Sequence, residues 1–411
     1  MRIDLTNRTR LFRVVDLFYI CFVIHVVQSM AFPYSSYARI IRVSTLILGV
    51  LSVLIKRQIS FKRVNILVVV SGLVLIIESY LTSYVYGTKY LTTTSGRLTS
   101  IAIITINIVL FMVLDEINFS AKKLDIAFCL ISVGMILASF LTYNISEVIR
   151  AVVVGRRLGG DFSTINLFGM NMATLAIFLL HSIISTRRYI VLKVVGLVIF
   201  AIFTASSGSR ASLLCLLIGV LFYLLMTSQR NKLTKVIIIS IVVMLIFYLM
   251  SIFSFTNAIL NRVSTLWSKQ DTAVAESDAS RLRLIMFGLE SWLKRPLFGY
   301  GFNAFTLYSR SAVSFNTYSH NNYVEILFNN GIVGLFCFYF PRVYILTQYI
   351  KLLKNKKDKT VVFLVSEMLV LLLLDLTIVS YYYLSLNFIW VFAWAYYAYY
   401  IKTINSGVAY E

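Results

Sequence analysis

The 411-residue chain is 59% hydrophobic and only 13% charged, whereas a soluble domain is about half apolar and a quarter charged. A soluble fold has no interior large enough to hide that surface. The net charge of +21 would suit nucleic acid only if the Lys and Arg gathered on a folded polar face; they are instead dispersed between apolar blocks, and no nucleic-acid partner is expected.

The blocks are uncharged and long, as in VIIISIVVMLIFYLMSIFSF at 236–255, and about twenty such residues cross a hydrocarbon core as a helix. Strands of a membrane barrel would alternate apolar and polar residues instead. The pattern therefore predicts an all-α, polytopic membrane fold of about 12 transmembrane helices. They fall at 14–32, 40–55, 64–82, 98–114, 124–142, 165–184, 190–206, 211–227, 236–255, 323–345, 361–380 and 388–401. The N-terminal MRIDLTNRTRLFR is basic and runs into the first block without an A-x-A cleavage site, which reads as a cytoplasmic lead-in. From that start, inner segments, with Lys193 at the inner end of its span, hold 22 of the 38 Lys and Arg and outer segments 14, with Arg42 and Arg342 inside spans. Half of the 14 lie in one long loop, so the short-loop ratio is 22 to 7, and both termini are expected in the cytoplasm. Cys21, Cys129, Cys215 and Cys337 sit in apolar blocks without metal-ligand spacing and read as small buried hydrophobes.

Two outer segments are long, about 143–164 and about 256–322. Where other connections are minimal, a loop of the second size is functional or disordered. Its SRLRLIMFGLESWL run has apolar residues at helical spacing with Trp292, which predicts a helix near 281–293 on the membrane surface.

Three places on that side could carry chemistry. SSGSR at 206–210 is a tight turn between two spans, and Arg210 opens the second. The amides of a helix start and a guanidinium together make an anion seat, although an interfacial arginine also snorkels with no further role. SRLRLIMFGLESWLKRPLFGYGFNAF at 280–305 puts Arg281 and Arg283 ahead of the amphipathic stretch and ends it with Pro296, Gly299 and Gly301; contact with lipid head groups is the alternative for the arginines. SHNNYVEILFNNGIVG at 319–334 enters the tenth span with His320, Asn321 and Glu325. His320 is one of three histidines, beside His25 and His181 within spans. At a water interface it should keep a near-neutral pKa suited to a general base, while a lone interfacial His also serves structure. Glu325 is spaced to orient it or to hold an arginine.

Together the segments resemble the O-antigen ligase and O-antigen polymerase family. The resemblance rests on RRLGGDFSTIN at 156–166, on SSGSRA, on the Arg281 to Gly301 run with its PLFGYG ending and on SHNNYVEILFNNGIVGL, in that order and spacing over roughly residues 150–345. Ile285 stands where the family often has an aromatic, and residues 1–140 carry no matching motif. A single integral membrane domain over 1–411 is expected, with a family-like core at 150–345 that includes the loop 256–322.

The resemblance implies an inverting glycosyl transfer without metal or cofactor. The implied donor is a glycan on undecaprenyl diphosphate, and the acceptor a second lipid-linked glycan or a lipid A core sugar. Membrane lipids and other polysaccharide assembly proteins are further partners, at the outer face of a bacterial cytoplasmic membrane. On this reading Arg210 and Arg281 neutralise the leaving diphosphate and His320 takes the acceptor's proton. Arg283, Asn321 and Glu325 line the substrate site. A polymerase for capsule, exopolysaccharide or O-antigen is favoured over a ligase, because nothing in the sequence marks a lipid A site.

Asp375 interrupts LLLLDLTIVS, and an intramembrane carboxylate needs a partner; a structural pair between helices is expected. The tyrosines of YYYLSLN at 381–387 read as an interfacial belt. Outside enzymes, the alternative is a lipid-linked oligosaccharide flippase or transporter. Such folds show broken helices at the midplane in two related halves, and three prolines with glycines mostly at block ends do not supply that pattern.

Overall fold

The computed structural model describes residues 14–32, 35–56, 63–85, 119–154, 157–162, 164–227, 272–355, 358–381 and 383–405. Among them every regular element is a helix: α1 (Val14–Ala31), α2 (Ser36–Lys56), α3 (Arg63–Val85), α4 (Ala121–Thr142), α5 (Ile145–Val154), α6 (Ile165–Ser185) and α7 (Ile190–Ser206). The chain continues with α8 (Arg210–Thr227), α9 (Thr272–Lys294), α10 (Ala304–Tyr308), α11 (Arg310–Val313), α12 (Asn322–Asn355), α13 (Lys359–Leu374) and α14 (Leu384–Asn405). The spans expected at 98–114 and 236–255, and the loop residues 256–271, lie outside the described residues.

Five helices are long and apolar enough to cross a membrane: 14–31, 121–142, 165–185, 210–227 and 322–353. Shorter apolar stretches occur at 40–52, 70–79 and 190–206. The chain is an integral membrane protein, but among the described residues five helices rather than twelve meet that standard. α13 falls short because its 16 residues reach only about 24 Å.

α6 forms the centre, buried almost continuously from Leu167 to Leu179. Its Phe178 stacks on Phe128 of α4 at 4.6 Å between ring centroids, and Phe128 meets Phe363 of α13 edge-on at 5.4 Å. Small residues let the backbones approach, as expected where lipid supplies no hydrophobic drive between helices: Gly169 faces Ser207 and Ser212, and Gly219 faces Ile177 and Val370. Side chains close the helix starts, with the Thr164 hydroxyl accepting the Leu167 N–H at 3.2 Å and Asp358 accepting that of Thr360 at 2.8 Å. Val191, Leu192, Val195 and Val198 of α7 point outward, a face suited to hydrocarbon.

Several boundaries differ from expectation. α9 begins at Thr272 rather than near 281, and it is apolar on two sides. Leu284 and Ile285 pack inward, while Leu282, Met286, Leu289 and Leu293 recur every three or four residues on the exposed side. α5 was not anticipated, although Asn144 and Glu147 spell its start: the Glu147 carboxylate accepts the Asn144 N–H at 3.0 Å, the return half of a capping box. α13 stops at Leu374, not 380, and α12 is broken at Gly331 (φ 63°, ψ −163°).

Candidate active site

Helix directions gather the family-like segments at one end of the bundle. α6 and α8 run parallel, since Gly169 faces Ser212 and His181 Nδ1 lies 2.9 Å from the Tyr223 hydroxyl. α13 runs against them, with Phe178 beside Phe363 and Lys359 Nζ donating to the Ile184 carbonyl at 3.0 Å. The starts of α6 and α8 therefore share an end with the finish of α13. There the Asp375 carbonyl accepts the Asn322 N–H at 2.7 Å, which draws in the start of α12 and His320.

The break in α12 explains why PLFGYG and LFNNGIVG occur together. A helix interrupted at Gly331 leaves amides and carbonyls without partners along its own axis. The loop after α9 supplies them: Tyr300 N–H donates to the Phe328 carbonyl (2.9 Å) and Gly301 N–H to that of Asn329 (2.7 Å). In return, Ile332 N–H donates to the Pro296 carbonyl (2.8 Å) and Val333 N–H to that of Leu297 (3.2 Å). The approach requires glycines on both strands of contact. A Cβ at Gly299 would strike the Phe328 and Asn329 carbonyls, and one at Gly331 the Leu297 carbonyl. Leu284, Ala304, Phe305, Val324 and Phe328 form the core beneath, and Ile285 packs against it without the family's aromatic. Tyr300 stacks on Phe328 at 4.6 Å, with the Arg295 guanidinium 4.5 Å above its ring.

His320 lies just before α12 in left-handed backbone, φ 60°, a conformation uncommon for a residue with a Cβ. Its half-buried ring lies 4.2 Å from that of Tyr318. Burial first, and the Arg281 charge second, lower its pKa from 6.5 to about 4. The near-neutral value expected of an interfacial imidazole is thus corrected by its cover and its cationic neighbour. Arg281 and His320 are brought together by this geometry. A lowered pKa keeps the proton-accepting form populated to lower pH; a reaction that needs neutral His320 should therefore lose rate near pH 4, and a pH profile of kcat/KM with an acid limb at 6.5 would contradict this environment.

The remaining expected site residues divide. Arg283 lies about 200° around the helix from Arg281, exposed, with its guanidinium on the Ser280 hydroxyl at 3.0 Å. Asn321 is mainly a helix cap: its carbonyl oxygen accepts the Val324 N–H (3.1 Å), and its amide lies 3.4 Å from the Leu376 carbonyl. Glu325, fully buried, accepts the Ser319 N–H at 2.7 Å, so it fixes the backbone one residue before His320. Arg210 stands half-buried at the first turn of α8, at the same end of the bundle. The anion seat of amides expected there is partly used up, because Ser207 Oγ accepts the Ser209 N–H (3.2 Å) and Ser209 Oγ that of Ser212 (3.3 Å).

One feature has no counterpart in the sequence reading, and two differ from it. Arg157, inside RRLGGDFSTIN, lies across the SSGSR turn with Nε on the Ser207 carbonyl (3.2 Å) and Nη2 on Asn166 Oδ1 (3.3 Å). Asp375 ends α13 and accepts the Tyr339 hydroxyl at 2.7 Å, while Asn322 Nδ2 donates to that same hydroxyl at 2.7 Å; the structural pair is there, but it also braces the segment next to His320. Tyr381 is buried rather than in an interfacial belt, its hydroxyl 2.7 Å from Asn329 Nδ2.

This fold and site define a helical membrane protein in which the Arg281 charge acts on a histidine in left-handed backbone, just ahead of a broken helix. Residues 195–339 match the model of the family described as O-antigen ligase, the family that the motifs resemble. The match takes in Arg210, Arg281, His320 and both arms of the break, and leaves out 156–166 and Asp375. No curated protein matches the chain.

Proposed function

We propose that the protein is a polysaccharide polymerase that joins undecaprenyl-diphosphate-linked oligosaccharides at the outer face of a bacterial cytoplasmic membrane, with both termini in the cytoplasm. The observation that carries the reading is the His320–Arg281 neighbourhood within the segment matched to the O-antigen ligase family. The acceptor hydroxyl oxygen attacks the anomeric carbon from the face opposite the diphosphate, which gives inversion. The sugar–oxygen bond breaks with both electrons passing to the diphosphate, and the hydroxyl proton passes to neutral His320. Arg281 and Arg210 neutralise the departing charge. A diphosphate beside Arg281 also offsets the cation that helps depress His320, so donor binding should strengthen the base as it arrives. The acid limb of kcat should then lie above that of kcat/KM.

The description of the matched family favours a second reading within the same chemistry, a ligase whose acceptor is the lipid A core. A deletion strain complemented with the gene separates them: a polymerase restores a ladder of glycan lengths on the lipid carrier, a ligase moves glycans of unchanged length to lipid A, and restoration of neither product rejects both. The flippase alternative is weakened by the break itself, because transporters leave unwound backbone for cargo, whereas here the loop's own amides occupy it.

Arg281→Lys keeps the charge but loses the planar fork, and transfer in the complemented strain should fall roughly 10- to 100-fold; near-normal product would remove Arg281 from the mechanism. Orientation has its own check. A cysteine at Asn316 should react with an impermeant maleimide in intact cells and one at Lys351 should not, the reverse result inverting the topology.

A further inference from the structure

We propose that Glu78, in the N-terminal part of the chain that the family match does not reach, is a positioning residue for this site and acts through Asn330 on the break in α12. Only its activity arm depends on the transferase reading above. Asn330 is fully buried, and its amide nitrogen donates to Glu78 Oε2 at 2.5 Å and to Ser79 Oγ at 2.9 Å. Thr82 Oγ1 donates to the other carboxylate oxygen at 2.9 Å. A carboxylate inside a membrane bundle is expensive and marks function more often than not. This one takes Thr82 from its own helix and, from α12, Asn330, the residue before Gly331.

The neighbouring geometry gives that bond leverage. A backbone at φ 63°, ψ −163° persists only where its surroundings over-determine it. The first hold on the break is Asn329, whose Oδ1 accepts the Phe305 N–H at 2.8 Å and whose amide reaches Tyr381. The second hold is Asn330, next in the chain, packed over Gly334 so closely that a Cβ there would meet its own. Asn329 therefore ties the break to the loop and α10, and Asn330 ties it to α3. With Glu78 removed, one of the two anchors goes, and the cross-pairing of 296–301 with 328–333 should loosen while the rest of the bundle stays closed.

Hydrogen exchange on the purified full chain in lipid nanodiscs tests this directly. Glu78→Ala should raise exchange at the Tyr300, Gly301, Ile332 and Val333 amides by roughly tenfold or more, with peptides of α6 unchanged. Asn330→Asp places two carboxylates together and should be at least as bad; adding Glu78→Gln to it restores a donor–acceptor pair and should recover protection. Transfer product should fall and recover in the same order. Unchanged exchange at those four amides in Glu78→Ala overturns the proposal. So does an increase spread evenly over α6 and α13, which would make Glu78 a general support of the fold. If exchange responds as expected while the wild-type chain yields no transfer product, the positioning role stands and the transferase reading fails.

Discussion

Replacing His320 with alanine should lower glycan transfer by roughly 10²- to 10⁴-fold, the usual worth of a positioned general base, while donor binding stays near wild type because a base acts in the transition state. Alanine also tolerates the left-handed backbone at this position, φ 60°, less well than histidine does, so a second variant separates strain from chemistry. Asparagine is among the residues that adopt this conformation readily, and its side chain cannot accept the proton. His320→Asn should thus keep the local fold and lose the same activity. Transfer by His320→Asn within a few-fold of wild type, at equal membrane abundance, would make the imidazole structural. The measurement is product formed by purified variants in vesicles loaded with donor.

Gly331→Ala should be nearly as damaging by a different route. Its φ and ψ fall in a region open essentially to glycine alone, and a Cβ there runs into the backbone of Leu297 and Phe298, with Phe298 N at 2.6 Å. Backbone cannot rotate out of the way as a side chain can. Strain and clash together should cost about 3–5 kcal/mol, enough to part the loop from α12 and unseat Arg281 from His320. Gly299→Ala meets the same junction from the other side, with Asn329 C at 2.6 Å, and should behave alike. Gly160→Ala has nothing within 4 Å of the added carbon and serves as the control. Thermal denaturation in detergent, with transfer assayed in parallel, decides the matter: a Gly331→Ala protein that melts and turns over like Gly160→Ala would show that the junction does not hold the site.

What the sequence disclosed was whatever could be read within one stretch of chain. Arg281 and His320 stood out because each opens an apolar run at a water interface, and the ordered motifs around them placed both on one side. The partners that set their behaviour come from elsewhere. His320 owes its lowered pKa to burial and to a guanidinium 39 positions earlier, which no local pattern reports. Asn321 looked like a ligand residue because caps and ligands use the same side chain; its bond to the Val324 amide is visible only in three dimensions. The SSGSR turn suggested helix-start amides open to an anion, yet its serines cap some of them. Gly331 looked like one glycine in an apolar run, and the break it permits depends on amides from 296–301. Arg157 did leave a signal, an arginine inside RRLGGDFSTIN, but nothing in that segment says it folds back on the turn at 207.

The two-sided α9 fixes more than a position. With Leu282, Met286, Leu289 and Leu293 outward and the Arg281 charge acting on His320, the proposed function would have the helix hold its guanidinium at the level of the lipid head groups. The lipid-anchored donor proposed above would then reach the arginine by lateral travel in two dimensions, never through bulk water. Turnover on this geometry should follow the mole fraction of donor in the bilayer and stay indifferent to its overall concentration in the tube, so diluting vesicles with buffer leaves the rate per enzyme unchanged, while diluting the donor with inert phospholipid slows it.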